Sequence, residues 1–201
     1  MNIIEFIKKT PKAELHLHIE GTLEPDHMFL LDKRNNIQIP FTNVSDVKSA
    51  YNFSSLESFL KIYYQGSKVL VKEQDFFDLT WAYALKCKEN NVVHTEIFFD
   101  PQTHVNRGIN FDTVINGIYK ALQKANKEFG LTFEIIMCFL RHLDEVSAFE
   151  MLDEALAHPY FKALHDANEE PVCKTQFKVD VEHKYKGQDV PKSVIQDEIY
   201  K

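Results

Sequence analysis

The stretch that decides the fold lies near the amino terminus and reads Glu14-Leu15-His16-Leu17-His18-Ile19-Glu20-Gly21-Thr22. Side chains alternate between the two faces of a β-strand, so an extended conformation places the three aliphatic residues on one face. The opposite face then carries four polar side chains, Glu14, His16, His18 and Glu20. Two imidazoles two residues apart can point at one ion, and neutral imidazole is a common zinc ligand. This polar face predicts a metal site.

A helix is predicted directly after this strand. Pro25 is well placed at the first position of a helix that runs to about Asn35. The polar residues therefore lie at the carboxyl end of a strand, which is where barrels and open α/β folds carry their chemistry. These residues alone leave two alternatives open: a solvated edge strand whose histidines have no function, and a chance H-x-H tripeptide.

Composition limits the classes of protein. The chain has 201 residues, of which 44% are apolar and 26% charged, and this is ordinary for a soluble globular protein. Its net charge of -7 argues against a nucleic-acid surface and against an anionic membrane surface. We see no membrane span or signal peptide, and the widely spaced Cys87, Cys138 and Cys173 favour a reducing compartment. We therefore expect a cytoplasmic protein that binds neither nucleic acid nor membrane.

Strands and helices alternate along most of the chain. Apolar runs predict strands over residues 13–19, 92–99 and 131–140. Helices are predicted over residues 3–9, 25–35, 74–90, 112–129 and from Asp144. Such alternation indicates an α/β fold with parallel strands and right-handed crossovers.

One further predicted helix has a distinct apolar face. The sequence Ser54-Ser55-Leu56-Glu57 is a capping-box pattern, in which a serine is followed three residues later by glutamate. The helix that it opens carries Leu56, Phe59, Leu60 and Tyr63 at positions i, i+3, i+4 and i+7. A stripe of this kind most often packs into a protein core.

Three segments together resemble the adenosine deaminase superfamily. They are the run from Pro11 to Leu23, the run Glu96-Ile97-Phe98-Phe99-Asp100-Pro101-Gln102-Thr103-His104, and the run from Cys138 to Leu143. The second run and the glutamate at position 20 resemble the adenine deaminase branch. The likeness covers roughly residues 3–158.

The resemblance implies a (β/α)8 barrel of the TIM type with one zinc ion in its mouth. It implies that His16 and His18 are zinc ligands and that Glu20 contacts the substrate. The four apolar-face residues Leu56, Phe59, Leu60 and Tyr63 would form a wall over the purine ring, with core packing as the alternative for each.

The implied reaction is the hydrolytic deamination of adenine to hypoxanthine and ammonia in purine salvage. Zinc lowers the pKa of bound water from about 15.7 to about 7 and so supplies hydroxide at neutral pH. Adenosine is the nearest alternative substrate, and another metal-dependent hydrolase of the same barrel type is a weaker alternative. The partner is thus a small-molecule purine, and the oligomeric state is not predicted.

The sequence departs from the family pattern after about residue 158. We find no motif for the family's third zinc histidine, glutamate proton donor, hydroxide-positioning histidine or zinc aspartate, so no catalytic residue is identified. His104 and His142 are the least implausible substitutes for the third ligand. We therefore expect an incomplete barrel of about three βα units over residues 1–158. Residues 159–201 would be an atypical tail from a truncated, frameshifted or chimeric reading frame.

These departures predict how the chain behaves. We expect little deaminase activity and weak zinc retention, because a zinc site needs at least three protein ligands. A non-catalytic half-barrel, persisting as a fragment or pairing with another chain, is the alternative function. The incomplete sheet is also expected to leave its last parallel edge open to pairing.

Overall fold

A computed structural model of the chain describes residues 2–166 and 168. Contacts divide the chain into two units, Met1–Ala163 and Leu164–Lys201, and the description below concerns the first. Cys173 and most of the predicted tail, residues 159–201, lie outside the described residues. The predicted division at residues 158 and 159 stays a prediction.

The first unit alternates helices with three strands. The strands are β1 (Lys12–His18), β2 (Val92–Phe99) and β3 (Thr132–Met137), and they form a parallel sheet in the order β1-β2-β3. A 3-10 helix, Ile19–Thr22, follows β1. The helices are α1 (Ile3–Lys9), α2 (Pro25–Asn35), α3 (Val44–Ala50), α4 (Leu56–Ser67), α5 (Glu73–Glu89), α6 (Pro101–Val105), α7 (Phe111–Phe129), α8 (Glu145–Ala157) and α9 (Pro159–Lys162). The predicted α/β class with three parallel strands is confirmed.

Local chemistry explains where several helices begin and end. Pro25 occupies the first turn of α2, and Gly130 ends α7 in the left-handed conformation with φ of 76°. Asp144 caps α8, because its side chain accepts the backbone N–H of Ser147. Such caps satisfy donors and acceptors that a helix end leaves unpaired.

Two predicted caps are wrong. The cap of α4 is Ser55, whose hydroxyl accepts the backbone N–H of Ser58 while the Ser58 hydroxyl lies 3.2 Å from the Ser55 backbone nitrogen. The sequence pattern had paired Ser54 with Glu57. For α7 the sequence favours Asp112, at the start of the predicted helix 112–129, as the cap, whereas the cap in the structure is Asn110, two residues earlier. Where several neighbouring residues can each cap a helix, the sequence does not determine which of them does so. The packing of the helix then decides at which residue it begins.

The hydrophobic core forms between one face of the sheet and the two longest helices, α5 and α7. On β2 the alternate residues Thr95, Ile97 and Phe99 are buried, whereas Glu96 and Phe98 are only half-buried. Phe76 and Leu79 of α5 and Ile115, Ile118 and Leu122 of α7 are also buried. Each buried side chain of this size contributes about 1.5–3 kcal/mol. No helix among the described residues is long and apolar enough to cross a bilayer.

A β-bulge in β1 changes which side chains share a face. Glu14 pairs with Thr95 and Leu17 pairs with Ile97, so three steps along β1 match two along β2. Glu14 accordingly lies on the helix-covered face, where its Oε2 accepts the hydroxyl of Tyr83 at 2.9 Å. The predicted single face of Glu14, His16, His18 and Glu20 is therefore wrong for Glu14. Bulges re-aim side chains in this way and occur next to active sites.

The outer edge of β3 is partly covered. The Tyr160 hydroxyl of α9 accepts the backbone N–H of Ile135 at 2.8 Å and donates to Glu134 at 3.1 Å. One backbone donor of this edge is therefore satisfied within the unit, which differs from the expectation of an edge open to pairing.

Gly117 provides a test of the contact between α5 and α7. A Cβ atom at Gly117 would lie 2.4 Å from the Glu73 carbonyl oxygen and 2.6 Å from Phe76 Cβ. We predict that Gly117→Ala lowers the free energy of unfolding by about 1–3 kcal/mol, because overpacking forces the helices apart. Urea denaturation measures this change.

Gly21→Ala is the matched control. Gly21 is exposed, and the nearest heavy atom to an added Cβ there is Tyr63 Cε2 at 3.7 Å, an ordinary contact. This variant should change the stability by no more than about 0.5 kcal/mol. Equal stability of the Gly117→Ala variant and the unmodified chain would show that the two helices do not pack this closely.

Candidate metal centre

The two histidines of β1 lie on one face of the sheet. Both imidazoles stack on the ring of Phe98, with centroid distances of 4.5 Å for His16 and 5.4 Å for His18. Their own ring centroids are 5.8 Å apart. The bulge therefore leaves the two imidazoles together at the carboxyl end of β1, and their role as metal ligands stays a prediction.

Two histidines are fewer than the three protein ligands that a zinc site requires. His18 has two further candidate ligands as neighbours, Asp100 and Cys138, and one ligand atom from each of the three lies within 4.8 Å of the others. His18 Nδ1 is 3.6 Å from Asp100 Oδ1. Among the described residues, this is the group of three candidate ligands whose atoms lie close enough together to bind one ion. It does not include His16.

Glu20 is buried rather than presented beside the histidines. The strand ends at His18, and Glu20 lies in the following 3-10 helix with 3% of its surface exposed. Its Oε1 accepts the backbone N–H of Asp100 at 3.0 Å and lies 3.1 Å from His104 Nε2. The predicted place of Glu20 on the strand face is therefore wrong, and its contact with substrate stays a prediction.

Tyr63 joins the two buried carboxylates. Its hydroxyl oxygen lies 3.1 Å from Glu20 Oε2 and 3.0 Å from Asp100 Oδ2. Burial, the negative charges of both carboxylates and these hydrogen bonds raise the pKa of Tyr63, so the phenol keeps its proton. A phenol has one hydrogen to donate, so only one of these two contacts is a hydrogen bond from Tyr63 at a time. The ends of β1 and β2 therefore concentrate negative charge.

His104 has both ring nitrogens engaged. Arg107 lies 2.8 Å from its Nδ1, and because a guanidinium only donates, Nδ1 is the acceptor. Nε2 then carries the hydrogen and donates it to Glu20. His104 is fully buried and His142 is exposed. The group of candidate ligands found among the described residues contains neither histidine, so the substitute ligand that the sequence suggested is not found at these two positions.

The segment after β3 is held close to the site. The Cys138 backbone N–H donates to the Phe99 carbonyl at 3.0 Å, and the buried Gln102 accepts the Leu140 N–H at 2.6 Å. Burial raises the pKa of the Cys138 thiol to about 12, and the charges of Asp100 and Glu20 add to the shift. A hydrogen bond to Asp100 raises the pKa of His18, which burial opposes. The negative charge of the carboxylates thus favours a cation here.

The apolar stripe of α4 lies outside the core. Leu56 is 71% exposed, and Phe59, Leu60 and Tyr63 are partly exposed, whereas Ile62, Gly66 and Ser67 are the buried residues of the helix. Phe59 and Tyr63 line a small cavity of about 20 Å³ together with Glu20. Core packing therefore does not account for the stripe, and its contact with a purine stays a prediction.

Sequence reasoning missed two residues of the site, Asp100 and Cys138. Both directly follow a strand, and this position was the available signal. In the sequence, Asp100 and Pro101 directly follow the predicted strand 92–99 and indicate only its end. The sequence does not place Cys138 after a strand, because the third strand is predicted to run to Leu140. In the structure β3 ends at Met137.

Comparisons with known proteins agree on one family. The sequence profile of the adenosine deaminase family matches residues 11–182. The adenine deaminase of Psychrobacter cryohalolentis is 60% identical over 154 residues, which are 77% of this chain and 46% of that protein. The Wolinella succinogenes adenine deaminase is 60% identical over 152 residues, which are 76% and 46% of the two chains. The chain thus spans about half the length of the curated relatives that it matches.

Solved structures agree with the fold. The crystal structure of an adenine deaminase from Arthrobacter aurescens has a TM-score of 0.71 and 45% identity, over 73% of this chain and 45% of that chain. A zinc-bound amidohydrolase from Burkholderia ambifaria has a TM-score of 0.64 at 21% identity, over 81% and 43%, and so supports the fold alone. These neighbours confirm the predicted incomplete barrel.

His104 provides a test of the buried network. We predict that His104→Ala lowers the free energy of unfolding by at least about 2 kcal/mol, because it leaves a cavity and removes a hydrogen bond to a buried carboxylate. His142→Ala removes an exposed imidazole and should change stability by about 0.5 kcal/mol or less. Thermal and urea unfolding of both variants measure the difference. Similar losses of unfolding free energy in the two variants would contradict the buried hydrogen-bond network around His104.

Proposed function

The chain belongs to the adenosine deaminase family, and on this premise we propose that it carries part of a site for the hydrolytic deamination of adenine to hypoxanthine and ammonia. The observation that supports adenine most strongly is the 60% identity to two adenine deaminases over about three quarters of the chain. The first three strand ends, where the chemistry of such barrels sits, all belong to this chain.

His16 and His18 would hold the metal of the complete site. Their imidazoles share one face, and the stacked ring of Phe98 fixes their orientation. Two ligands do not complete a zinc site, so further ligands must come from elsewhere. Bound zinc would supply a hydroxide nucleophile at neutral pH.

The purine would lie against α4. Phe59 and Tyr63 present aromatic surface next to Glu20, and because the cavity between them has room for only about one water molecule, the purine would lie over its mouth. Aromatic faces suit a flat heterocycle, and a carboxylate accepts hydrogen bonds from ring N–H groups. Leu56 and Leu60, on the same stripe, would extend this wall in the complete site.

The chain by itself is proposed to have little activity. Glu20 and Asp100 are the buried carboxylates at the described strand ends, and hydrogen bonds to their neighbours engage both. Neither is therefore free to donate a proton to a leaving amine. A general acid contributes typically 10²- to 10⁴-fold to the rate, so its absence alone would slow the reaction by at least about 100-fold.

A non-catalytic half-barrel is the second candidate function. It is favoured by large apolar side chains on the surface of the first unit, with Leu15 56% and Phe149 57% exposed. A stable monomer or dimer without adenine binding would support this candidate.

A chimera separates the candidates. We predict that residues 1–158 of this chain, joined to the remaining part of the Psychrobacter cryohalolentis enzyme, deaminate adenine faster than adenosine. The unjoined chain should be at least about 100-fold slower, because neither buried carboxylate at its described strand ends is free to act as a general acid. Loss of adenine absorbance and formation of hypoxanthine measure the rates.

Variants of the chimera assign the roles. His16→Ala and His18→Ala should each abolish turnover, whereas His94→Ala, which removes a half-exposed imidazole bonded to Thr132, should retain it. A folded, zinc-loaded chimera that does not convert adenine would refute the proposed substrate. Faster deamination of adenosine than of adenine would instead support adenosine, the alternative substrate.

A further inference from the structure

The first helix of the chain exposes an apolar face. No residue of α1 is buried. Four large apolar side chains of this helix are between 50% and 68% exposed, and their spacing places them on one side of it: Ile3, Ile4, Phe6 and Ile7. The other side carries the charged residues Glu5, Lys8 and Lys9. An apolar face of this kind is typical of a helix that packs against a partner.

A groove between α2 and α5 offers an apolar surface on the same unit. It encloses about 450 Å³, and its lining includes Leu30, Trp81 and Leu85. Leu30 is 66% exposed and Leu85 is 39% exposed, so solvent reaches this surface. The volume lies within the range of about 300–1,000 Å³ that is usual for binding clefts, so the groove can accept several side chains of a short helix.

α1 is held next to this groove without entering it. The Lys12 ammonium donates to the Ile7 carbonyl at the end of α1 and to the Asn90 carbonyl directly after α5. Lys86, which lines the groove, precedes Asn90 by about one helical turn. The exposed apolar face shows that α1 does not fill the groove of its own chain. We propose that two copies of the chain form a dimer in which each α1 lies in the groove of the other copy.

The position of α1 allows this contact to be reciprocal. Because the helix and the groove are neighbours on one chain, a single two-fold axis can bring each helix to the partner's groove, and two-fold dimers are the commonest symmetric assemblies. Two short helices in two grooves make a small interface, in the class below about 1,200 Å², which is typical of weak complexes. The expected dissociation constant is about 10–100 μM.

Charge selects α1 over the other exposed apolar helix. α8 also exposes apolar side chains, with Val146 67% and Phe149 57% exposed. Its charged residues are all acidic: Glu145, Glu150, Asp153 and Glu154. The groove is lined by three carboxylates and one ammonium, so it is acidic too: Glu24, Asp26, Asp78 and Lys86. Like charges across an interface disfavour binding, which makes α8 the poorer occupant.

Salt bridges within the unit leave one carboxylate at the groove. Glu24 forms a salt bridge with Lys86, and Asp78 forms one with Arg34 at 2.7 Å. Asp26 is exposed and takes part in none of the salt bridges among the described residues. This carboxylate gives the rim of the groove a net negative charge.

The charges of α1 complement this rim. Lys9 pairs with Glu5 at 2.6 Å. Lys8 is exposed and is likewise in none of the salt bridges that the described part of the chain forms. Lys8 of one copy therefore complements Asp26 of the other. The half-barrel candidate thereby gains a specific partner, a second copy of this chain, and the proposal does not depend on deamination.

Sedimentation velocity of the full chain over a range of concentrations tests the proposal. We expect a monomer–dimer equilibrium. Phe6→Asp places a charge on the helix side of the contact and Leu30→Asp on the groove side, so each should weaken the dimer at least about 100-fold. Phe149→Asp, which changes a similarly exposed phenylalanine on α8, is the matched control and should leave the dimer unchanged.

Exchange of the two rim charges makes the test specific to this pairing. Lys8→Glu and Asp26→Lys should each weaken the dimer about 10-fold, because each places like charges opposite one another. The double variant restores opposite charges and should recover most of the lost affinity. Circular dichroism establishes that each variant is folded, and the four positions are exposed or lie on a helix without buried residues.

Four results overturn the proposal. The first is a chain that stays monomeric at about 500 μM, well above the expected dissociation constant, or that forms larger species instead of a dimer. The second is a dimer that survives unchanged in folded Phe6→Asp or Leu30→Asp. The third is loss of the dimer in Phe149→Asp. The fourth is a double charge variant that associates no better than the two single variants.

Discussion

The carboxylate of Glu20 joins the ends of two strands and the helices that follow them. It accepts the backbone N–H of Asp100 after β2, and it contacts His104 of α6 and Tyr63 of α4. Hydrogen bonds to a buried charge are worth about 1.5–3 kcal/mol each, and leaving such a charge unpaired costs more. The positions of Asp100, His104 and Tyr63 therefore depend on one side chain that lies between them.

Elements with strong periodicity and unambiguous ends could be predicted from the sequence. The bounds of α2 and β2 agree with the prediction, because Pro25 and the Asp100-Pro101 pair restrict the backbone whatever the tertiary structure. Gly130 likewise ends α7, since its left-handed φ suits glycine. Caps that several neighbouring polar residues could supply were misplaced by one to two residues.

The arrangement of the site could not be predicted in the same way. Alternation along β1 does not reveal the bulge that moves Glu14 to the opposite face, because the extra residue is visible only against the register of β2. The burial of Glu20 depends on partners 43 to 84 residues away, and short-range patterns carry no information on these. The Asp100-Pro101-Gln102-Thr103-His104 run marked the family, but its physical role became clear only from contacts that tie α6 to the neighbouring strand ends.

Amide hydrogen exchange at Asp100 tests most directly whether Glu20 holds the strand ends together. Glu20→Met keeps the approximate side-chain volume but removes both acceptor oxygens. The account predicts that the Asp100 amide then exchanges about 10- to 100-fold faster, which corresponds to the loss of one hydrogen bond to a charged group, while the Ile97 amide within β2 changes little. Equal protection of the Asp100 amide in the variant and the unmodified chain would contradict it.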